Sequence, residues 1–280
     1  MPRATINGGN INYEVQGTTG PWVSVSPGGR RGFNELGGYA RRFSEAGFRV
    51  LVHDRRNCGG SDLLLSGDNQ EHEIWADDLN ALLTSLGATS AFIGGASSGA
   101  RMALSYGLRY PKATKGLLLW RVSGSARSTK HLANQYYGSF AALAKTGGME
   151  AVAASEHFKA VIARNPAARD QLMRFGAEAF IHSMNVWSER FMKGADQPII
   201  GASEAELRAM RVPMCLIPGN DFVHARSSAH AVGKLVPGCE MHDIMPPGPD
   251  LEEIPFESWE QKEADIAKIF IDFMRKDSAR

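Results

Sequence analysis

The sequence predicts an α/β protein: a mostly parallel central sheet with helices on both faces, split by an inserted block of helices. Three observations carry this. Short apolar runs alternate with helical patterns between residues 22 and 120, and alternate again after residue 213. Between them, residues 125–210 show amphipathic helical periodicity with Pro and Gly breaks and no strand-like run. The amino terminus differs from both, because two alternating runs from Arg3 to Gln16 flank Gly8-Gly9 in the manner of a tight hairpin.

The elements follow in order. An antiparallel edge opens the fold. Trp22 to Ser26 is a strand ending at Pro27-Gly28-Gly29, and a helical pattern over Leu36 to Ala46 leads to the strand Phe48 to Val52. A helix from about His72 to Leu86, a strand at Ala91 to Gly94, a helix from about Gly99 to Tyr110 and the strand Gly116 to Trp120 continue the alternation. Such alternation calls for parallel strands joined by right-handed crossovers. Beyond the helical block come the strand Met214 to Ile217, a helix from about Ala225 to Leu235, the strand Glu240 to Met245 and a last helix from about Ser258 to Met274. The expected domains are therefore a core of residues 1–124 and 211–280 and a helical lid, or cap, of residues 125–210.

Composition narrows the function classes. A chain of 280 residues with 43% hydrophobic and 22% charged side chains can bury a large core. The formal net charge of +1 offers no field for a polyanion, so neither nucleic acid nor a charged membrane surface is an expected partner. Three scattered cysteines, Cys58, Cys215 and Cys239, make neither a disulfide framework nor a zinc knuckle. With no signal-like segment and no membrane-length apolar run, the expected location is cytoplasmic.

The strongest chemical motif is Gly95-Ala96-Ser97-Ser98-Gly99, a G-x-S-x-G between a predicted strand and a predicted helix. Small neighbours permit a sharp turn that lifts the Ser97 hydroxyl above the sheet while a helix N-terminus faces the reacting oxygen. The bare pattern arises by chance in on the order of one such chain in four, so its position carries the weight. Two further segments accompany it: Asp54-Arg55-Arg56-Asn57-Cys58-Gly59-Gly60-Ser61-Asp62 after a strand, and Leu216-Ile217-Pro218-Gly219-Asn220-Asp221 beyond the helical block.

Together these segments resemble the α/β-hydrolase superfamily, and the resemblance covers nearly the whole core on either side of the lid. It implies an α/β-hydrolase fold with Ser97 as nucleophile and Asp221 as the acid of a triad. It also implies an oxyanion hole from the backbone N–H groups of Ser98 and Gly29. The Asp54 segment is expected to be architectural. Arg30 and Arg31 read equally as a carboxylate or phosphate attractor and as a solvated pair.

The resemblance further implies a Gly-His a few residues past the last strand, but that loop here reads Pro249-Asp250. His242 falls inside the expected strand, His53 ends another, and His182 lies in the lid. His224, three residues past Asp221, reads as a feature of its loop rather than as the base. The histidine base is thus expected to be missing or atypical, with a lid histidine, Asp250 or Glu252 in the loop, or the substrate itself as alternatives. The expected function is hydrolysis of a small organic ester, lactone or amide by Ser97. The alternatives are a cofactor-free lyase or isomerase and a non-catalytic ligand-binding protein on the same fold.

No dinucleotide or phosphate loop is present, so no cofactor is expected. Glu71-His72-Glu73 reads as a solvated acidic first turn rather than a metal site. The lid aromatics and methionines Tyr136, Tyr137, Phe140, Phe175, Phe180, Met184, Trp187 and Phe191 point to an apolar small-molecule substrate, although each alone reads first as core. A monomer or a homodimer would serve equally.

Overall fold

The structure, a computed structural model, describes residues 2–65 and 69–278. Its first strands, β1 (Arg3–Ile6) and β2 (Gly9–Gln16), pair antiparallel. The turn between them is Asn7-Gly8, both at positive φ (46° and 84°), one residue earlier than Gly8-Gly9. Two successive left-handed residues make the tight hairpin turn that asparagine and glycine tolerate best, and Gly9 instead pairs with Ile6.

The remaining elements follow as β3 (Trp22–Ser26), α1 (Gly37–Glu45), β4 (Arg49–His53), α2 (Glu71–Ser85), β5 (Ala91–Ala96), α3 (Ser98–Arg109) and β6 (Thr114–Trp120). Beyond the inserted helices α4 (Ala126–Ala133), α5 (Ser139–Ala153), α6 (Glu156–Arg164), α7 (Ala167–Phe175), α8 (Ala177–Met192) and α9 (Glu204–Ala209) come β7 (Met214–Ile217), α10 (Arg226–Leu235) and β8 (Glu240–Met241). The chain ends in α11 (Phe256–Glu260) and α12 (Glu263–Ser278), two helices where the pattern suggested one.

The sheet order is β1-β2-β4-β3-β5-β6-β7-β8, with β2 antiparallel to β4 and every pair from β4 to β8 parallel. Strand parity sorts the core. Leu117, Leu119 and Leu216 pack with Leu79, Met102 and Val232 of α2, α3 and α10 on one face. Leu118, Trp120 and Ile217 pack with Phe43, Phe270 and Met274 of α1 and α12 on the other. Both faces being covered, the central strands β3 and β5 are buried along their whole length, which is why they read as continuous apolar runs. The inserted helices build a core of their own, including Phe158, Phe180, Met184 and Trp187, and seat it on Leu63, Leu65 and Ile74.

One expected strand is much shorter than its apolar pattern: β8 pairs with β7 only at Glu240 and Met241. His242 therefore lies outside the strand, although its N–H still donates to the Leu216 carbonyl (3.0 Å). Edge strands lack a second partner, and Pro246-Pro247 cannot extend the ladder. Among the described residues no helix is long and apolar enough to cross a membrane.

Because β3, β5 and β7 run parallel, their carboxyl ends open on one side, and the reversal of connection order between β3 and β5 places a crevice there. The end of β4 holds a costly buried group, His53, whose two ring nitrogens have no hydrogen-bond partner. Burial, with the nearby Arg55 charge, pushes its pKa down to about 3. The unfolded chain, with an ordinary value near 6.5, takes up this proton first. Stability is therefore unaffected by this group above that value and falls as pH drops toward 3, by up to about 1.4 kcal/mol per pH unit. Urea unfolding at about pH 7.5 and about pH 4.5 is expected to show this loss, and His53→Leu is expected to reduce the difference between the two conditions.

Candidate active site

Ser97 occupies the turn between β5 and α3 at φ 53° and ψ −111°, a sparsely populated conformation for a residue with a side chain. Such a conformation costs on the order of 1–3 kcal/mol and persists only where its surroundings over-determine it. They do so here. The Ser97 N–H donates to the Trp120 carbonyl (3.1 Å), and its own carbonyl accepts from the Arg101 N–H (3.0 Å). A Cβ on Gly95 would lie 2.4 Å from the Gly99 carbonyl carbon, and one on Gly99 would lie 2.3 Å from the Ser26 carbonyl oxygen. Both motif glycines are thus required by backbone packed on backbone.

Asp221 ends the turn after β7 and is fully buried. Its carboxylate accepts from the N–H groups of Val223 and His224 (both 3.0 Å) and from His224 Nδ1, which is 2.9 Å from each oxygen. The His224 N–H also donates to the Asp221 carbonyl (3.0 Å), so the chain reverses tightly and folds the imidazole back over the carboxylate. His224 Nε2 then lies 2.9 Å from Ser97 Oγ. The serine and the aspartate named by the sequence are thus brought together, and the histidine between them is one the sequence reading had set aside. Three residues looked too short a separation. In an extended loop it would be, but a carboxylate-capped turn brings positions i and i+3 side by side. The Asp-x-x-His spacing was the available signal.

The other proposed bases do not reach Ser97. Asp250 accepts from the Arg226 N–H (3.3 Å), and Glu252 is exposed and paired with Arg127. The loop that carries them braces the acid turn instead: the Phe222 N–H donates to the Leu251 carbonyl and the Leu251 N–H to the Asn220 carbonyl, each at 2.8 Å. His182 is exposed on α8.

Protonation follows from the partners. Burial alone would raise the Asp221 pKa, but the hydrogen bonds from His224 and the charge of Arg121 hold it below its ordinary value, so the carboxylate is ionised. An ionised carboxylate only accepts, which puts the ring proton on Nδ1 and leaves Nε2 to accept from the Ser97 hydroxyl. Burial lowers the His224 pKa, the Asp221 hydrogen bond offsets part of that, and Arg121 lowers it further.

Ser98, as the first residue of α3, has no intrahelical acceptor for its N–H. Gly29 stands at φ 56° in the loop after β3. Its carbonyl accepts from Ser98 Oγ (2.6 Å) and from Arg55 Nη2 (2.7 Å), and Arg55 Nη1 donates to Ser98 Oγ (2.9 Å). Arg55 is 1% exposed and stacks over Trp75 at 4.4 Å. One guanidinium thus ties together the two backbone segments named for an oxyanion hole, a contact that a mainly architectural role for its segment does not specify. Asp54 does play the architectural part, accepting from Phe33 N–H (2.8 Å), Gly60 N–H (2.7 Å) and Asn12 Nδ2 (2.8 Å). The Cys58 thiol beside it is buried and its pKa is pushed up to about 11, which disfavours the reactive thiolate.

Two readings of charged groups change. Arg30 is neither free nor solvated, because it pairs with Glu71 at 2.6 Å and both are buried. Glu71 correspondingly is not part of a solvated first turn: the inserted helices cover it, and Tyr137 also donates to it (3.2 Å). Among the described residues no group of three His, Cys, Asp or Glu side chains could hold a metal ion.

A cavity of about 560 Å³ opens over Ser97 and His224, between the carboxyl ends of the strands and the inserted helices. Leu132, Tyr136, Phe140 and Val161 form its apolar wall, and Gly28, Gly29, Arg31 and Arg121 line the opposite one. Of the eight aromatics and methionines singled out in the insertion, only Tyr136 and Phe140 reach the cavity, and most of the others build the insertion's own core.

Residues 22–174, more than half of the chain, match the family described as "Serine aminopeptidase, S33". The chain belongs to this family of α/β hydrolases. It is 30% identical over 113 residues to the uncharacterized hydrolase YraK of Bacillus subtilis (strain 168), covering 38% of this chain and 39% of that protein. It is 39% identical over 69 residues to the bifunctional esterase/perhydrolase DCH of Acinetobacter calcoaceticus, covering 25% of this chain and 24% of that one. The matched segments thus span well under two thirds of either relative. Among solved structures, the enol-lactonase from Burkholderia xenovorans LB400 superposes with a TM-score of 0.66 at 20% identity over 98% of this chain and 100% of the other. The thermophilic esterase from Thermogutta terrifontis gives 0.66 at 19% identity over 99% and 98%. These likenesses show the fold.

The packing at the turn sets an expectation. Gly99→Ala must displace the Ser26 carbonyl and is expected to cost about 3 kcal/mol, read as a fall in thermal midpoint, whereas Ser97→Ala is expected to change stability by less than about 1 kcal/mol.

Proposed function

We propose that this protein is a serine hydrolase of small organic esters or lactones in which Ser97 is the nucleophile, His224 the general base and Asp221 the acid. The observation that carries this reading is the continuous hydrogen-bonded line from Asp221 through both nitrogens of His224 to Ser97 Oγ. Serine is a weak nucleophile unless an adjacent base removes its proton as it attacks. In the proposed reaction Ser97 Oγ bonds to the carbonyl carbon while its proton passes to Nε2, and Asp221 stabilises the imidazolium. The N–H groups of Ser98 and Gly29 receive the oxyanion. The tetrahedral intermediate collapses as Nε2–H protonates the departing alcohol, leaving an acyl-serine. Water, activated by the same nitrogen, then cleaves the acyl-serine, releasing the acid and returning the proton to Ser97.

The esterase and lactonase activities named for the relatives point the same way. The helices of residues 125–210 are proposed as a lid, since they supply the apolar wall of a cavity large enough for a small molecule. Arg55 is proposed to hold the oxyanion loop through the Gly29 carbonyl.

A fluorophosphonate probe is expected to add its mass to the wild type and not to Ser97→Ala. With activated short-chain esters, His224→Ala and Asp221→Asn are each expected to lower kcat by about 10⁴-fold or more. Full activity in His224→Ala would send the search back to a different base.

The base must be neutral to act. Burial depresses its pKa, so kcat/KM is expected to hold on acidification until pH is below the ordinary imidazole value of 6.5, and only then to fall. A midpoint of the acid limb at or above about pH 7 would contradict the environment described for His224.

A further inference from the structure

The polar lining of the cavity carries four arginines against two carboxylates, Glu35 and Glu156, and the arginines differ in what already engages them. Arg30 is held by Glu71 at 2.6 Å. Arg164 donates to Asn34 Oδ1 at 2.7 Å. Arg31 pairs at the rim with Glu35 (3.0 Å), both partly exposed, and its Nε donates to the Gly28 carbonyl (3.3 Å). Arg121 is different: it is 6% exposed, its Nε has no hydrogen-bond partner, and it forms no ion pair among the described residues. Its guanidinium lies 5.6 Å from the Phe256 ring centre and 5.3 Å from that of Trp259, contacts that leave the hydrogen-bonding fork unused. The carboxylate of Asp221, which attracts it, is already occupied by His224 and the turn amides. A buried cation without a hydrogen-bonded counter-charge is costly, and an anion in the cavity would relieve it.

Its place in the chain brings it to the reaction centre. Arg121 follows Trp120, whose carbonyl holds the Ser97 N–H, and its own N–H donates to the Ile217 carbonyl (3.0 Å) at φ 55°. Arg31 approaches from the other side: a Cβ on Gly28 would lie 3.3 Å from both Arg31 Nη2 and Ser97 Cβ. Two guanidinium groups therefore line the same cavity as Ser97, together with the apolar Leu132, Tyr136, Phe140 and Val161.

We propose that Arg121, with Arg31 at the rim, binds a carboxylate lying a few bonds from the scissile carbonyl, so that the preferred substrates are anionic esters or lactones with an apolar body. This rests on the reading of Ser97 as nucleophile. A single planar guanidinium matches a carboxylate in shape and charge, and hydrogen bonds between two charged groups are among the strong ones.

The test compares kcat/KM for two matched ester pairs. In 4-nitrophenyl hydrogen glutarate against 4-nitrophenyl valerate the charge sits on the acid; in 4-acetoxybenzoate against its methyl ester it sits on the alcohol. The wild type is expected to prefer the charged member of at least one pair by about 10-fold or more, and Arg121→Met to lower that ratio by about 10- to 100-fold, mainly through KM. Arg121→Lys is expected to fall between. If Arg121→Met does not fold, the wild-type ratios together with Arg121→Lys and Arg31→Met decide. Equal or better turnover of both neutral esters, with Ser97 labelled by the fluorophosphonate, would overturn the anion site and leave the serine hydrolase standing. If neither turnover nor labelling is seen, the hydrolase reading fails. Calorimetry with glutarate then decides the anion site alone: binding that is lost in Arg121→Met supports it, and no binding overturns it.

Discussion

One buried carboxylate organises the open end of this sheet. Asp221 accepts two backbone N–H groups and a ring N–H within four residues of chain, and no acceptor other than an ionised carboxylate could do all three in so small a space. The consequence is geometric. The turn closes, His224 is folded over the acid that orients it, and its far nitrogen is delivered to the serine at the end of a different strand. The imidazole and the carboxylate that orients it thus come from a single turn after β7, while the loop after β8 is left to brace that turn through Leu251.

A second constraint meets the first. The turn at Ser97 is strained, and its strain is held by backbone packed on backbone at Gly95, Gly99 and Ser26. Neither constraint alone makes a site. The serine needs β5, β6 and α3 in register, and the aspartate needs β7 beside β6; the parallel sheet supplies both and leaves the carboxyl ends free. Arg55 adds a third tie from β4, pinning the Gly29 carbonyl to the Ser98 hydroxyl so that the loop after β3 cannot drift from the helix it faces.

Electrostatics at this end is unusually dependent on arginine. The side chains of Arg30, Arg55, Arg101 and Arg121 are all buried, with Glu71 paired to the first and Asp221 attracting the last. Aromatic faces take up part of the imbalance: Trp75 under Arg55, Phe191 under Arg101, and Phe256 with Trp259 beside Arg121. An excess of buried positive charge favours ionised Asp221 and neutral His224, the two protonation states that the proposed chemistry requires.

The sequence by itself determined the strand and helix alternation, the position of the helical insertion, the sharp turn at Ser97 and the turn-capping carboxylate at Asp221. Each rests on local physics: apolar periodicity, small residues around a sharp turn, and an aspartate able to cap one. It could not settle the partner of Ser97, because a separation of three residues from acid to histidine is too short in an extended loop, and only the closed turn folds His224 over Asp221. Nor could it separate Arg30 from Arg121, since both are arginines after strands; only packing shows that Glu71 pairs with the first, whereas the second faces Phe256 and Trp259 and forms no ion pair among the described residues. The length of β8 and the small share of insertion aromatics that face the cavity belong to the same class. Local sequence decides what a segment can form, whereas which side chains meet across 127 residues, as His224 and Ser97 do, is decided only when the sheet brings strand ends together.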